Sequence, residues 1–148
     1  MAIENHKQVL FLGDLNFRIN ALSRDEVLTK VQTNKLKLLL EEDDLHLAFK
    51  NYKPEKYQEN IYMDHFLRNF KEGKISFIPT YKFDVGTSVY DSSKKQRVPA
   101  YCDRILFKRN NILSQLKYYA CMGVKFSDHK PVIGSFVLNL EDTLKKAA

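Results

Sequence analysis

Three short segments, far apart in the chain, each place a carboxylate where an apolar run meets a polar turn. Asp14 follows such a run, and Asp103 and Asp128 each precede one. This kind of position holds a side chain at the end of a strand, at the mouth of a site rather than in the core. The three carboxylates, together with Asn16 and His129, indicate a site for metal-assisted hydrolysis of phosphate.

The composition limits the classes of protein that the chain can belong to. A length of 148 residues fits one domain, and 44% hydrophobic residues are enough for a core. The apolar stretches are only a few residues long, which excludes a membrane-spanning helix. Cys102 and Cys121 are too few and too far apart for a disulfide framework or a zinc site, so we expect a reduced, cytoplasmic setting. The net charge of +6 favours anionic partners.

Local patterns predict helices in the first half of the chain and strands in the second. The apolar run Gln8–Leu12, closed by Gly13, predicts a buried strand. Ser23 and Glu26 have the spacing of a capping box, which predicts a helix start, and Asp43 or Asp44 could cap a further helix. Further elements are a helix over 62–70 and strands over 75–77, 105–107, 115–121 and 132–138. The predicted fold class is therefore α/β.

Four motifs, in this order and spacing, resemble those of the inositol polyphosphate 5-phosphatases. They are GDLNFRI (13–19), PTYKFD (79–84), RVPAYCDRIL (97–106) and SDHKPV (127–132). One such motif would be a weak signal, whereas four in order are a strong one. The resemblance runs from about Glu4 to Leu140. It implies part of a DNase-like four-layer α/β sandwich, in which mostly antiparallel sheets are flanked by helices.

The resemblance covers only the second half of that family's catalytic domain. We therefore expect residues 1–148 to form a single, partial catalytic domain without the N-terminal half, which in the family carries the main magnesium-binding glutamate. A sheet that lacks its facing sheet leaves an apolar surface uncovered. We expect association with a partner through that uncovered face, or marginal stability of the chain alone.

Hydrolysis of a phosphate monoester needs a placed water, a base and positive charge on the phosphoryl oxygens. Asp14 is the candidate base. The resemblance implies that Asp14 activates the water, that Asn16 holds a phosphate oxygen or that water, and that Asp103 orients His129 towards a phosphate oxygen. Asp128 is assigned to the metal side or to the water network. Magnesium is the expected ion because its ligands are oxygens, with Asp14, Asn16 and Asp128 as a weak ligand set.

A second group of residues is expected to select the substrate. Tyr81, Lys82, Lys95 and Arg97 match the family positions that bind the 4-phosphate of the inositol ring. A phosphate next to the hydrolysed one requires fixed cations and a hydroxyl donor at a set distance. For Arg104 two roles are open: contact with phosphate, or support of the neighbouring aspartate.

The predicted function is magnesium-dependent hydrolysis of the 5-phosphate of phosphoinositides, such as phosphatidylinositol 4,5-bisphosphate, or of soluble inositol polyphosphates. Contact with membranes would be peripheral and electrostatic. A nuclease of the same superfamily would share the first and last motifs but would not need the 4-phosphate residues, so nucleic acid is not an expected partner. The alternative is a non-catalytic fragment that binds phosphoinositides or a protein partner without a working metal site.

Overall fold

Two antiparallel sheets and four α-helices form the part of the chain that the computed structural model describes, residues 5–57 and 59–139. The strands are β1 (Leu10–Asp14), β2 (Phe70–Glu72), β3 (Asp103–Lys108), β4 (Leu113–Ala120) and β5 (Val132–Leu138). The helices are α1 (Arg24–Gln32), α2 (Leu36–Leu40), α3 (Asp44–Lys50) and α4 (Ile61–Asn69), with a 3-10 turn at Pro54–Tyr57. The predicted α/β class with antiparallel sheets is confirmed.

The strand β3 is the centre of the larger sheet, whose order is β1-β3-β2. Its register places Leu12 opposite Ile105 and Asp14 opposite Asp103. The smaller sheet pairs β4 with β5, with an irregular register between Gln115 and Lys117. Both sheets are antiparallel, and β1 and β3 therefore bring Asp14 and Asp103 to one end of the larger sheet.

Side chains of β3 alternate between two separate hydrophobic clusters. Ile105 belongs to a cluster with Tyr118 of β4, whereas Leu106 packs with Leu45 of α3 and Phe70 of β2. Successive residues of a strand point to opposite faces, so one face of β3 belongs to a cluster with the second sheet, α1 and α2, and the other face packs against α3 and β2.

The helix starts follow from local capping. The Ser23 side chain accepts a hydrogen bond from the Glu26 backbone N–H, and the Glu26 carboxylate accepts one from the Ser23 backbone N–H (2.8 Å), which completes the predicted capping box. Asp43, rather than Asp44, caps α3, since its carboxylate accepts from the His46 N–H at 2.9 Å. None of the described helices is long and apolar enough to cross a membrane.

Two predictions about strands were wrong. Residues 75–77 form no strand; instead Phe70–Glu72 pairs with β3 directly after α4, while Ile75 and Phe77 are buried in the core through side-chain packing alone. The strand β1 exists but is exposed rather than buried, with Leu12 at 61% of its full accessibility. Within the described residues β1 pairs only with β3 and lies at the edge of the sheet.

Candidate active site

His129 lies between two carboxylates at one end of the larger sheet. Its Nδ1 is 3.1 Å from each carboxylate oxygen of Asp103, and its Nε2 is 3.9 Å from Oδ2 of Asp14. Asp103 is half-buried and Asp14 is exposed. His129 therefore lies between a carboxylate that is partly inside the protein and one at its surface. The geometry joins residues from two strand ends and a loop, and it contains the Asp103–His129 contact that the resemblance implies.

The turn after β1 sets the direction of Asp14 and Asn16. Gly13 has a φ of +143°, a conformation that residues with a Cβ rarely adopt. Asn16 has a φ of 59°, which asparagine tolerates better than most residues, and its backbone N–H donates to Oδ1 of Asp14 at 2.9 Å. The carboxylate of Asp14 is therefore held by its own turn, with its second oxygen towards His129.

Asp103 and His129 each have a second hydrogen-bonding partner. The buried Thr80 hydroxyl donates to Oδ2 of Asp103 at 2.6 Å, and the backbone N–H of His129 donates to Oγ of Ser127 at 3.1 Å. Sequence reasoning assigned no role to Thr80 or Ser127, although both lie inside the motifs at 79–84 and 127–132. The Thr80 contact therefore helps to hold the Asp103 carboxylate, and the Ser127 contact helps to hold the backbone of His129.

Tyr81 and Lys82 lie beside the histidine. The Tyr81 ring is 4.6 Å from the His129 ring, centroid to centroid. Its backbone is fixed by a hydrogen bond from the Ala100 N–H to the Tyr81 carbonyl at 2.8 Å. Nζ of Lys82 is 3.9 Å from Oδ2 of Asp128, in a half-buried setting. The structure thus brings two of the predicted 4-phosphate residues and Asp128 next to His129.

Lys95 and Arg97 lie in an exposed loop that the buried Asp91 organises. The Asp91 carboxylate accepts from the backbone N–H of Arg97 at 2.9 Å and from that of Ser93 at 3.1 Å. The hydrogen bond from Arg97 lowers the pKa of Asp91 to about 2, so the carboxylate is ionised at neutral pH. Asp91 N–H also donates to the Lys82 carbonyl at 2.9 Å, which ties the loop to the Tyr81–Lys82 segment.

Arg18 is a further residue of the site that sequence reasoning did not select. Its Nη2 donates to Oδ1 of Asn16, and its guanidinium carbon lies 4.6 Å from the centroid of the Tyr81 ring. It therefore connects the turn after β1 with the Tyr81–Lys82 segment. The position of Arg18 within the first motif, residues 13–19, is the sequence signal that could have identified it.

The predicted roles of Arg104 do not fit its position. Its side chain is 1% exposed and points away from Asp103, because neighbouring residues of β3 face opposite sides of the sheet. It donates to Asp43 (2.9 Å) and to Glu72 (2.6 Å) instead. The Arg104 guanidinium thus lies in the core, away from the solvent side where a phosphate would bind, and it makes no contact with the Asp103 side chain. Any support that it gives to Asp103 acts through the backbone of β3.

A separate cavity of about 790 Å³ lies on the Arg104 side of β3 and contains none of the other predicted site residues. Nor do the described residues contain a group of three His, Cys, Asp or Glu side chains placed to hold a metal ion. The oxygens of Asp14, Asn16 and Asp128 are of the type that magnesium prefers. These three residues therefore form at most a partial ligand set for such an ion.

The chain is similar in sequence to known inositol phosphate and phosphoinositide phosphatases. The chain is 41% identical over 136 residues to the type II inositol 1,4,5-trisphosphate 5-phosphatase of Mus musculus. It is 39% identical over 136 residues to a phosphatidylinositol 4,5-bisphosphate 5-phosphatase of Saccharomyces cerevisiae. In both cases 92% of this chain is matched, but the chain spans only 12% and 13% of the relatives' lengths.

A solved structure shows the same fold. It is the inositol polyphosphate 5-phosphatase domain of SPsynaptojanin in complex with inositol (1,4)-bisphosphate and a calcium ion, with a TM-score of 0.72 and 34% identity. The match covers 99% of this chain and 40% of the chain in that structure. The family model described as endonuclease/exonuclease/phosphatase family 2 matches residues 1–135. With most of its length matched by that model and its motifs joined at one end of the sheet, the chain belongs to the endonuclease/exonuclease/phosphatase family 2, as a homologue of inositol polyphosphate 5-phosphatases.

Proposed function

We propose that this chain supplies catalytic and substrate-binding residues for hydrolysis of the 5-phosphate of phosphoinositides or soluble inositol polyphosphates. One observation carries the proposal: His129 lies between Asp103 and Asp14, with the Tyr81 ring 4.6 Å away. A nuclease would need the aspartates and the histidine but not the adjoining Tyr81 and Lys82.

Each residue has a role in this proposal. Asp14 takes a proton from the attacking water, whose oxygen forms a bond to the phosphorus as the bond to the inositol oxygen breaks. With its Nδ1 hydrogen directed to Asp103, His129 turns Nε2 towards the reacting phosphate and stabilises its developing charge. Asn16 holds a phosphate oxygen or the water through its amide N–H, whereas its Oδ1, which accepts from Arg18, is the atom that would face the ion. The departing inositol oxygen takes up a proton from solvent water, so that the products are inorganic phosphate and an inositol hydroxyl.

A divalent ion, which we propose to be magnesium, completes the site. It would neutralise phosphoryl oxygens and lower the pKa of a bound water. Asp14, Asn16 and Asp128 are the candidate ligands from this chain, and they form a partial set. Magnesium dependence of any activity would support this part of the proposal.

Substrate selection is proposed to rest on Tyr81, Lys82, Lys95 and Arg97. The names of the relatives include both a soluble trisphosphate and a lipid bisphosphate, and these share phosphates at ring positions 4 and 5. A lipid substrate would bring the protein to the membrane surface, where its net charge of +6 favours anionic headgroups. We propose a cytoplasmic protein that contacts membranes peripherally.

The test is phosphate release from inositol 1,4,5-trisphosphate and from vesicles containing phosphatidylinositol 4,5-bisphosphate, with and without magnesium. Asp14→Asn and Asp103→Asn should each abolish release, whereas Asp25→Asn, an exposed change in the first turn of α1, should leave it unchanged. Equal release from all four proteins would refute the assignment of the site.

A non-catalytic binding fragment is the second candidate, favoured by the incomplete ligand set and by the exposed strand β1. Leu10, Phe11 and Leu12 are 45%, 44% and 61% exposed, which is unusual for consecutive apolar strand residues. We propose that another polypeptide covers this edge. Folded protein that binds inositol 1,4-bisphosphate without releasing phosphate from the trisphosphate would favour this candidate. Leu12→Lys should then weaken association with the polypeptide that covers β1, without changing the affinity for inositol 1,4-bisphosphate.

A further inference from the structure

The cavity of about 790 Å³ on the Arg104 side of β3 has an apolar lining and a basic rim. It lies between the helices α2 and α3 on one side and β2, with the segment that follows it, on the other. The helices contribute apolar side chains such as Leu40 and Phe49. Basic side chains come from Lys71, Lys74 and Arg109. A lining of this kind suits a ligand that carries both apolar groups and negative charge.

The positive charge at this rim is not neutralised by the protein itself. Within the described residues, none of Lys71, Lys74 and Arg109 forms an ion pair; Lys71 and Arg109 each lie over an aromatic ring instead. The carboxylate of Glu72, which also lines the cavity, is already engaged by Arg104 at 2.6 Å. The cavity is therefore complementary in charge to an acidic ligand.

The segment 73–76 adds backbone groups that are free to pair. The strand β2 ends at Glu72 and lies at the edge of the larger sheet, opposite β1. Residues 73–76 continue along the cavity, and their backbone N–H and C=O groups make no hydrogen bond to any part of the chain that the structure describes. An unpaired edge of this kind is a template to which another extended chain can add as a strand.

We propose that the cavity between 71–76 and the helices α2 and α3 is a docking groove for an extended acidic segment of a partner protein. The partner's backbone pairs with 73–76. Because side chains alternate along a strand, acidic residues at every second position reach the basic rim, and the apolar residues between them face Leu40 and Phe49. Inorganic phosphate would use the charge alone and leave the apolar side chains and the backbone unmatched.

The docking groove is independent of the proposed hydrolysis, because none of the residues proposed for catalysis or for the 4-phosphate lines it. Peptide binding can therefore be measured without substrate, and its failure would leave the proposed function untouched.

The probe is a short fluorescein-labelled peptide in which aspartate and glutamate alternate with valine. Its binding to the 148-residue chain is followed by fluorescence anisotropy. A peptide with asparagine and glutamine in place of the acidic residues should bind about tenfold or more weakly, because the charge-assisted contacts are lost. Equal affinity of the two peptides, or no binding of the acidic peptide at millimolar concentration, would overturn the proposal.

A charge reversal at the rim separates local from overall electrostatics. Lys74→Glu should weaken binding of the acidic peptide about fivefold or more, because a repulsion replaces an attraction. Lys53→Glu is the matched control: it makes the same change in net charge at an exposed position outside the groove and should leave the affinity unchanged. The same loss in both variants would mean that the peptide responds only to overall charge, which would overturn the groove.

Amide hydrogen exchange tests the pairing itself. On addition of the acidic peptide, amides within 73–76 should exchange more slowly, because they gain hydrogen bonds that the free chain does not supply. The amides of β1, at the opposite edge of the sheet, should exchange as before. Binding without protection of 73–76, or with protection of β1 in its place, would locate the peptide elsewhere and refute the docking groove.

Discussion

Arg104 allows the sharpest test of how this fold is held together. Its buried guanidinium donates through Nη1 to both oxygens of Asp43 at 2.9 Å, and through Nε and Nη2 to Glu72 at 2.8 and 2.6 Å. The Tyr118 hydroxyl donates to the same Glu72 at 2.6 Å. One cation thus compensates two carboxylates that are otherwise shielded from water.

Replacing Arg104 with methionine keeps much of the side chain's apolar length but leaves both carboxylates without their cation. Removing one partner of a buried ion pair typically costs about 3–5 kcal/mol, since a buried charge is left uncompensated. We therefore expect Arg104→Met to lower the free energy of unfolding by about that amount at neutral pH. Urea unfolding followed by circular dichroism measures it.

The loss should depend on pH in a defined direction. Burial raises the pKa of Asp43 and Arg104 opposes that rise, so the substitution raises the pKa of folded Asp43 further. A folded-state pKa above the unfolded value means that the folded protein binds the extra proton, which adds stability at low pH that is lost as the pH rises through the folded pKa. The deficit of Arg104→Met should therefore be larger at neutral pH than near pH ~4.

Two further proteins make this prediction refutable. Combining Arg104→Met with Asp43→Asn and Glu72→Gln removes all three charges and should recover most of the lost stability. Arg68→Met removes a cation from an exposed pair with Asp64 and should cause no measurable change. An Arg104→Met protein within about 1 kcal/mol of the wild type, or a deficit independent of pH, would show that the buried ion network is not what stabilises this region.

Two further predictions concern single buried side chains, those of Tyr101 and Cys102. The Tyr101 hydroxyl is buried without a hydrogen-bond partner among the described residues, so Tyr101→Phe should leave the free energy of unfolding unchanged or raise it by about 1 kcal/mol in urea unfolding; a clear loss would imply a partner for the hydroxyl. Burial raises the pKa of the Cys102 thiol to about 12, and mass spectrometry of native protein treated with iodoacetamide at neutral pH should therefore find the label on Cys121 first. Equal labelling of the two cysteines would mean that the interior around Cys102 opens readily.

Elements that depend on local chemistry could be predicted from the sequence. The Ser23–Glu26 capping box fixes the start of α1 through two reciprocal hydrogen bonds, and its two residues are three apart in the chain. The strand β5 was predicted with its observed ends, Val132 and Leu138, because a polar segment precedes a run in which strand-forming residues stand on both sides of Gly134 and Ser135. In each case the signal and the structure lie within a few neighbouring residues.

Elements that depend on distant partners were predicted less well. The strand β2 forms because Phe70–Glu72 pairs with β3, more than thirty residues later, and nothing within the segment itself distinguishes it from the end of a helix. The burial of β1 was inferred from its apolar residues, but burial depends on what packs against a strand, and β1 lies at a sheet edge. Both errors concern non-local contacts.

At the site, too, local features could be predicted and contacts between distant residues could not. Its motif residues could be assigned from the resemblance, but the partners that hold them could not: Thr80 donates to Asp103 across 23 residues, and Arg18 reaches Tyr81 from another segment. The ion pairs of Arg104 with Asp43 and Glu72 were not foreseen, because its place directly after Asp103 in a motif suggested a role at the site. The alternation of a strand, once β3 was recognised, would have placed the two side chains on opposite faces.

Because of this alternation, adjacent residues of β3 contact the core on one face and the site on the other. Asp103 holds His129 on one side of the strand, and Arg104, the next residue, is fixed by Asp43 and Glu72 on the other. Displacement of Arg104 would shift the backbone that positions Asp103, so a substitution at either residue should reduce activity. An activity assay alone would then make Arg104 look like a substrate-binding residue. A measurement of the free energy of unfolding distinguishes a residue of the site from a residue of the core. The loss of Asp103 removes a contact of a half-exposed site, whereas the loss of Arg104 leaves two buried carboxylates uncompensated.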